Sequence, residues 1–237
     1  MTKRYVSIAA VAVSAIMPAL NEATTIAAAI DAARAAGVAE VIVADGGSSD
    51  DTVAVAASHG ASVITGESLR AAQINRGIEA ASHENVVVVH ADTLLPAGAA
   101  AAIEQALGNG AVFGAFQVSF PEGGARLATV AFMINARTRI TRKPWGDQAQ
   151  FGRRETLRYP LFPIMEDYEL ARRMKRAGPV AILPLTVSTS GRRFLAKGVM
   201  RTAFLNWVII VAYHCGVSPE RLARWYRGNE WAVRSRQ

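Results

Sequence analysis

The chain has 237 residues, 51% hydrophobic and 19% charged, which fits one globular domain of ordinary α/β type with a sizeable core. A lone cysteine, Cys215, excludes an intramolecular disulfide and nothing suggests a cysteine-based metal site, so a reducing, cytosolic setting is the simplest inference. The net charge of +7 is unevenly spread: residues 1–120 carry 5 basic and 11 acidic side chains, 121–190 carry 12 and 6, and 191–237 carry 9 and 2. Of the 26 basic residues 22 are arginine, whose planar fork grips phosphate by two hydrogen bonds. An Ala- and Arg-rich coding bias explains this composition as well as a phosphate-bearing partner or an anionic membrane surface does.

The opening MTKRYVSIAAVAVSAIMPA imitates a secretory signal, with Lys3 and Arg4, an apolar stretch, and then Val13, Ser14 and Ala15 as a small-residue cleavage site. Cleavage after Ala15 would cut through the first core strand, so the stretch reads as part of the fold. Apolar β-branched runs then alternate with alanine-rich amphipathic stretches, the pattern of strand and helix units around a largely parallel sheet. Strands are expected over about 11–17, 40–45, 61–65 and 85–90, and helices over about 23–36, 50–58, 69–82 and 96–107. Gly37 and Gly60 stand where left-handed caps are wanted, and Asp50 and Pro96 where helices begin. Further on, AVFGAFQVSF reads as a strand, residues 124–140 as a helix, and MEDYELARRMKRAG as a helix opening with two acids. Two helices close the chain, over about 198–214 and 218–235. No repeat or low-complexity linker marks a domain boundary.

In an open parallel sheet ligands bind beyond the carboxyl ends of the strands, and here those ends are polar. The first strand is followed by PALNEA with Asn21 and Glu22, the second by DGGSSDDT, and the valine run of the fourth by His90, Ala91 and Asp92. A strand ending in Asp45, followed by Gly46, Gly47 and Ser48, suits a nucleoside: the carboxylate accepts from a base or ribose, and the glycines let the backbone approach closely. The same residues also read as a plain turn with Asp50 as helix cap. A dinucleotide fingerprint is absent, since Gly108, Gly110 and Gly114 have the wrong spacing and precede a strand. There is likewise no Walker loop, no GxSxG elbow and no HExxH pair.

SAIMPALNEATTI, VIVADGGSSDDT and VVVVHADT, in this order and spacing, resemble the nucleotide-binding half of family 2 glycosyltransferases with the GT-A fold. PWGDQAQFGRRE, PIMEDYELARRMKRAG and TSGRRFLAKG are similar to a bacterial subgroup, the radical-SAM/selenodomain-associated transferase 2. The resemblance covers about residues 11–230. It implies an α/β fold of GT-A type: a nucleotide-binding half over about 1–110, an acceptor half over about 111–197, and C-terminal helices over about 198–237. It also implies a hexosyltransferase-like enzyme using a nucleoside-diphosphate sugar, a UDP- or GDP-sugar, and Mn2+ or Mg2+. On matching positions, Pro18, Asn21 and Glu22 line the base pocket, Asp45 contacts base or ribose, and Gly46 and Ser48 sit beside them. Arg70, Gln73 and Asn75, within about one and a half helical turns, face the same pocket or form a solvated face.

The family's metal motif is two aspartates flanking one residue, and here it reads His90, Ala91, Asp92. Asp92 with a diphosphate is a workable site for a hard cation. His90 is a ligand, a donor behind the ligands, or a packed strand end, and imidazole suits Mn2+ better than Mg2+. Glu166 and Asp167 open a helix, where acids are common for dipole reasons alone. The resemblance makes Asp167 the general base for an inverting displacement, with Asp147 its rival. Gly146, Asp147 and Gln148 match the loop around sugar and acceptor, and Arg192 and Arg193 either close over the diphosphate or form a solvated basic loop.

VMRTAFLNWVIIVAYHCGV is apolar almost all round and too short to span a membrane. It is a buried terminal helix, a dimer contact, or an in-plane helix at a membrane surface, which would suit a lipid-linked acceptor and a peripheral position on the inner face. A nucleotidyltransferase would want a glycine- and basic-rich loop where PALNEA is acidic. A non-catalytic sugar-nucleotide or membrane-binding module is the alternative of a different class. The acidic front half and the strand-end carboxylates argue against nucleic acid.

Overall fold

The computed structural model describes residues 12–234; the side chains of Arg193, Lys197 and 227–234 lie outside the described part. The charged start of the signal-like stretch, Lys3 and Arg4, falls outside it too. The first half runs β1 (Val13–Ala19), α1 (Ile26–Ala35), β2 (Glu40–Asp45), α2 (Thr52–Ser58), β3 (Ser62–Thr65), α3 (Arg70–Ala80), β4 (Asn85–Val88), β5 (Thr93–Leu94) and α4 (Ala99–Gly108). Then come β6 (Phe113–Ser119), α5 (Gly124–Thr141), β7 (Phe151–Arg153), α6 (Glu166–Ala177), β8 (Val180–Thr189), α7 (Arg192–Lys197), α8 (Val199–His214) and α9 (Pro219–Arg234).

The strands form one sheet in the order β3-β2-β1-β4-β7-β6-β8-β5. The first four are parallel, as are β6 and β8, whereas β7 runs antiparallel to β4 and β6, and β5 antiparallel to β8. This is a mostly parallel α/β sheet, as the resemblance implies. Side chains of a strand point alternately to the two faces, and the valine run shows the result. Val87 and Val89 pack with Ile26, Ile30 and Ile103 on one face, while Val86 and Val88 pack with Ile74, Ile78 and Leu170 on the other. Burial on both faces is what a strand at the centre of a helix-covered sheet requires. Each valine so buried contributes about 1.5–3 kcal/mol relative to exposure.

Gly37 and Gly60 adopt the left-handed conformation expected of them, with φ of 89° and 76°. Several boundaries move. β4 ends at Val88, two residues before the expected end. α2 begins at Thr52, and Asp50 sits before it, accepting from Thr52 and from the Ala23 N–H and so joining two loops. α4 begins at Ala99 after a left-handed Gly98, not at Pro96. β7 and β5 have only three and two residues, too short for any periodicity to announce them. The basic segment at Arg192, expected as a loop, opens the helix α7.

The C-terminal helices fold back over the start of α6. Ile209 and Leu222 pack with Met165 and Tyr168. The Tyr168 hydroxyl meets His214 Nε2 at 2.8 Å, and the Tyr213 hydroxyl donates to Glu169 Oε2 at 2.7 Å.

Candidate active site

Two adjoining cavities lie beyond the carboxyl ends of β1 and β4. The first, of about 420 Å³, is lined by Pro18 and Glu22 after β1, Arg70 and Gln73 of α3, Asp92, and Ser190 and Arg192 after β8. The second, of about 830 Å³, lies between α6 and the C-terminal helices and holds Glu166 and Asp167. Leu20, Arg70, His90, Asp147 and Phe194 line both.

The loops at the rim are held by their own polar side chains. Asn21, in the left-handed conformation at φ 55°, donates its N–H to Ser48 Oγ at 2.9 Å and accepts from the Ser49 N–H at 2.8 Å. Asp45 is buried, and its carboxylate accepts from the Gly47 and Ser48 N–H groups at 2.7 and 3.0 Å and from the Ser48 hydroxyl. Gly47 permits this turn through its φ of 88°. The Gly46 N–H donates to Ala19 O at 2.9 Å. Asn21, Asp45, Gly46 and Ser48 therefore build the wall behind the first cavity, and none of them lines it.

The α3 residues divide. Arg70 reaches both cavities and pairs with Glu166, Nε to Oε1 at 3.4 Å. Gln73 is buried and lines the first cavity, its amide donating to Ala19 O and Ala44 O at 2.8 Å each, which ties β1 to β2 at the rim. Asn75 faces elsewhere. Its amide exchanges two hydrogen bonds with the Tyr159 backbone, at 2.8 and 2.9 Å, so the expectation that all three share one pocket holds for two.

Asp92 precedes β5, and the pairing of β5 with β8 sets Thr93 opposite Thr189, their hydroxyls 2.7 Å apart. This register carries Arg192 to Asp92, Nη2 to Oδ2 at 3.2 Å, with Glu22 Oε2 at 3.4 Å from the same nitrogen. Arg193 shares α7, but its side chain lies outside the described residues.

On the other side, Asp167 is fixed at both oxygens. The Gly146 N–H donates to Oδ2 at 2.6 Å and the Tyr168 N–H to Oδ1 at 2.7 Å. A side chain on Gly146 would stand 3.1 Å from Asp167 Oδ2 and 3.2 Å from His90 Nε2, so glycine is what lets the acid and the imidazole converge on one point. Glu166 is buried beside it, and burial, joined by the Asp167 charge and opposed by Arg70, pushes its carboxyl above the ordinary range. Met165, before this pair, holds a left-handed φ of 70°, a conformation costing a non-glycine residue about 1–2 kcal/mol.

The loop carrying Gly146 and Asp147 is clamped from beneath. Gln148 is buried, donates to Phe116 O at 3.0 Å and accepts from Thr138 Oγ1 at 2.8 Å; it supports the site from outside both cavities. Sequence reasoning missed Gln150, whose amide donates to Pro144 O and Asp167 O at 3.0 and 3.1 Å and whose oxygen accepts from the Tyr159 hydroxyl. It also missed Phe194 and Tyr226 in the cavity walls. Only the quoted PWGDQAQFGRRE could have drawn attention to Gln150, since a buried glutamine carries no periodic signature.

Among the described residues no three His, Cys, Asp or Glu side chains gather into a group that could hold a metal ion. Asp92 opens onto the first cavity and already balances a cation, the Arg192 guanidinium. A hard divalent ion binding there would take its remaining ligands from a diphosphate and water.

A family model described as glycosyl transferase family 2 matches residues 14–159. The chain belongs to glycosyl transferase family 2. No curated protein sequence matches it. Solved structures share the fold of this family 2 glycosyltransferase. Glucosyl-3-phosphoglycerate synthase from Mycobacterium tuberculosis with Mn2+, UDP-glucose and phosphoglyceric acid superposes with a TM-score of 0.61 at 22% identity, over 88% of this chain and 81% of that one. The same enzyme with Mg2+ and UDP gives 0.57 at 24% identity, over 76% and 71%.

Proposed function

We propose that this family 2 glycosyltransferase moves a sugar from a nucleoside-diphosphate donor to an acceptor hydroxyl, with inversion at the anomeric carbon and Asp167 as general base. The observation that carries the reading is the junction of the two cavities. There, Arg70, His90 and Asp147 face both chambers, and Asp167 is oriented by the Gly146 N–H at 2.6 Å. The nucleotide occupies the first cavity against Pro18, Glu22 and Gln73, in a wall shaped by Asn21, Asp45, Gly46 and Ser48. UDP-sugars are the first donors to test, because the synthase of the same fold was crystallised with UDP and UDP-glucose.

Asp167 takes the acceptor proton as the acceptor oxygen bonds to the anomeric carbon. The bond from that carbon to the diphosphate breaks, and its electron pair leaves with the nucleotide. Arg192 and Arg70 balance the charge that develops on the leaving group. Mn2+ or Mg2+, held by Asp92 with or without His90, supplies further neutralisation there when bound. Glu166 positions Arg70 through their ion pair. The second cavity receives the acceptor. Its walls include Trp145, Ile164, Ile209, Ile210 and Tyr226, which suit an apolar body such as that of a lipid-linked alcohol. The segments from PWGDQAQFGRRE onward keep their resemblance to the radical-SAM/selenodomain-associated transferase 2 subgroup.

Thermal shift with UDP- and GDP-sugars, with and without Mn2+, tests donor binding, and release of nucleoside diphosphate tests turnover. Stabilisation by one donor, enhanced by the metal, is expected. No response to any nucleotide would sink the reading. Donor binding without turnover, unchanged in Asp167→Asn, would make the protein a binding module.

A further inference from the structure

Helix α8 is apolar on two opposite faces. Ile209 packs with Met165, Tyr168 and Leu222 under the cavity, and Thr202, Asn206 and Ile210 join it in the cavity wall. Met200, Phe204, Trp207 and Val211 point the other way and are 81%, 66%, 61% and 40% exposed. Their spacing of 4, 3 and 4 residues places all four within about 60° of one another on a helix of 3.6 residues per turn. Phe204 and Trp207 lie with ring centroids 6.3 Å apart. Trp225 of α9 is also exposed, and so is Leu195 of α7. The solvent-facing side of a helix in a soluble protein is ordinarily polar; here it is an aromatic and aliphatic stripe.

The charge beside the stripe is mostly positive. From Arg192 to Pro219 the chain contains no aspartate or glutamate, and the exposed Glu220 follows. Arg201, Arg221 and Arg224 are exposed. An isologous pairing of two copies would bring these cations face to face across the interface. An anionic lipid surface complements them, and tryptophan and arginine beside an apolar face are what an in-plane helix presents to headgroups. No helix among the described residues is long and apolar enough to cross a membrane, so contact through α8 would lie in the interface plane.

We infer that the outer face of α8, with Trp225 of α9, docks this protein on an anionic bilayer surface. Because the inner face of the same helix walls the second cavity, docking holds that cavity one helix thickness from the lipid, where an alcohol with an apolar body would arrive from the membrane.

The test is sedimentation of the full chain with phosphatidylcholine vesicles, plain or enriched in phosphatidylglycerol, at low and high salt. Tryptophan emission is followed in parallel. Binding to the anionic vesicles with a blue shift is expected, weakened by salt as headgroup charges are screened. The pair Phe204→Glu and Trp207→Glu should weaken it by about tenfold or more. Both side chains are exposed, so the thermal transition and the release of nucleoside diphosphate from a soluble donor should stay unchanged; Phe204→Ser is the milder companion. Equal binding by the variants, no binding to anionic vesicles, or a concentration-dependent dimer that the variants abolish would each overturn the inference. None of these outcomes touches the transferase reading, which stands or falls on nucleotide binding.

Discussion

Arg192 and Asp92, 100 residues apart in sequence, meet with Nη2 3.2 Å from Oδ2. The two-residue pairing of β5 with β8 makes this possible, because Thr93 opposite Thr189 puts the residue before one strand beside the turn after the other. A guanidinium thereby sits on the carboxylate proposed to receive the metal. The arginine and the cation compete for one acid until a diphosphate gives the arginine another partner.

That competition has opposite signs for two ligands. Arg192→Ala should tighten Mn2+ binding to the free protein by about twofold to fivefold, the worth of an exposed ion pair, and weaken binding of the nucleotide sugar. Asp92→Ala should abolish the effect of metal on nucleotide affinity, whereas His90→Ala separates ligand from bystander at that position. Calorimetric titration with Mn2+ alone, then with a UDP-sugar, reads each sign directly. Loss of both affinities together in Arg192→Ala would contradict the account.

Asp167→Asn keeps the shape of the side chain and removes the base. Turnover should fall by about 10²- to 10⁴-fold with donor affinity nearly unchanged, and the melting temperature should drop slightly, since the amide keeps only one of the two backbone N–H bonds that the carboxylate accepts. An equal fall in Asp147→Asn with Asp167→Asn active would reassign the base to its neighbour.

Gly146→Ala tests the convergence itself. Its new Cβ would press on Asp167 Oδ2 and His90 Nε2 at 3.1 and 3.2 Å, so the acid must yield by a fraction of an ångström. A displacement of a full ångström costs about 10²-fold in rate, so a loss of about tenfold in kcat is expected here. Folded stability should change little, as both groups border a cavity.

Gln73→Ala should cost stability instead. The variant removes two buried hydrogen bonds, from the amide to Ala19 O and to Ala44 O, each worth about 0.5–1.5 kcal/mol, while Ala19 O keeps the Gly46 N–H. Urea unfolding measures that loss. Nucleotide affinity should fall with it, because the same amide holds the rim of the first cavity together.

Glu169 provides a pH signature for the docking of the C-terminal helices. Burial would raise its carboxyl, but hydrogen bonds from Arg172, Tyr213 and Arg173 bring it down from 4.5 to about 2. A carboxyl depressed in the folded state adds stability above its unfolded pKa and loses it as pH falls through the folded one. The stability gap between the native chain and Glu169→Gln should therefore be constant above pH 4.5 and close as pH falls to about 2. Acid titration of the thermal midpoint of both proteins checks this.

Much of this was legible in the residue order. Apolar runs four to seven residues long, alternating with amphipathic stretches, placed β1 to β4 and α1 to α4 within a few residues, because hydrophobic periodicity is a local property. The acids and glycines at the strand ends pointed to the rim for the same reason: strand direction alone decides where a parallel sheet opens. The sequence could not separate side chains that line a cavity from those that build its wall. Asp45 and Asn75 have the right type and place, yet one closes its own turn and the other holds Tyr159. Only the tertiary structure decided that Arg192 meets Asp92, that Gly146 lets Asp167 approach His90, and that α8 keeps one apolar face outside. Those relations depend on strands of two and three residues and on packing between distant segments, where no local pattern carries information.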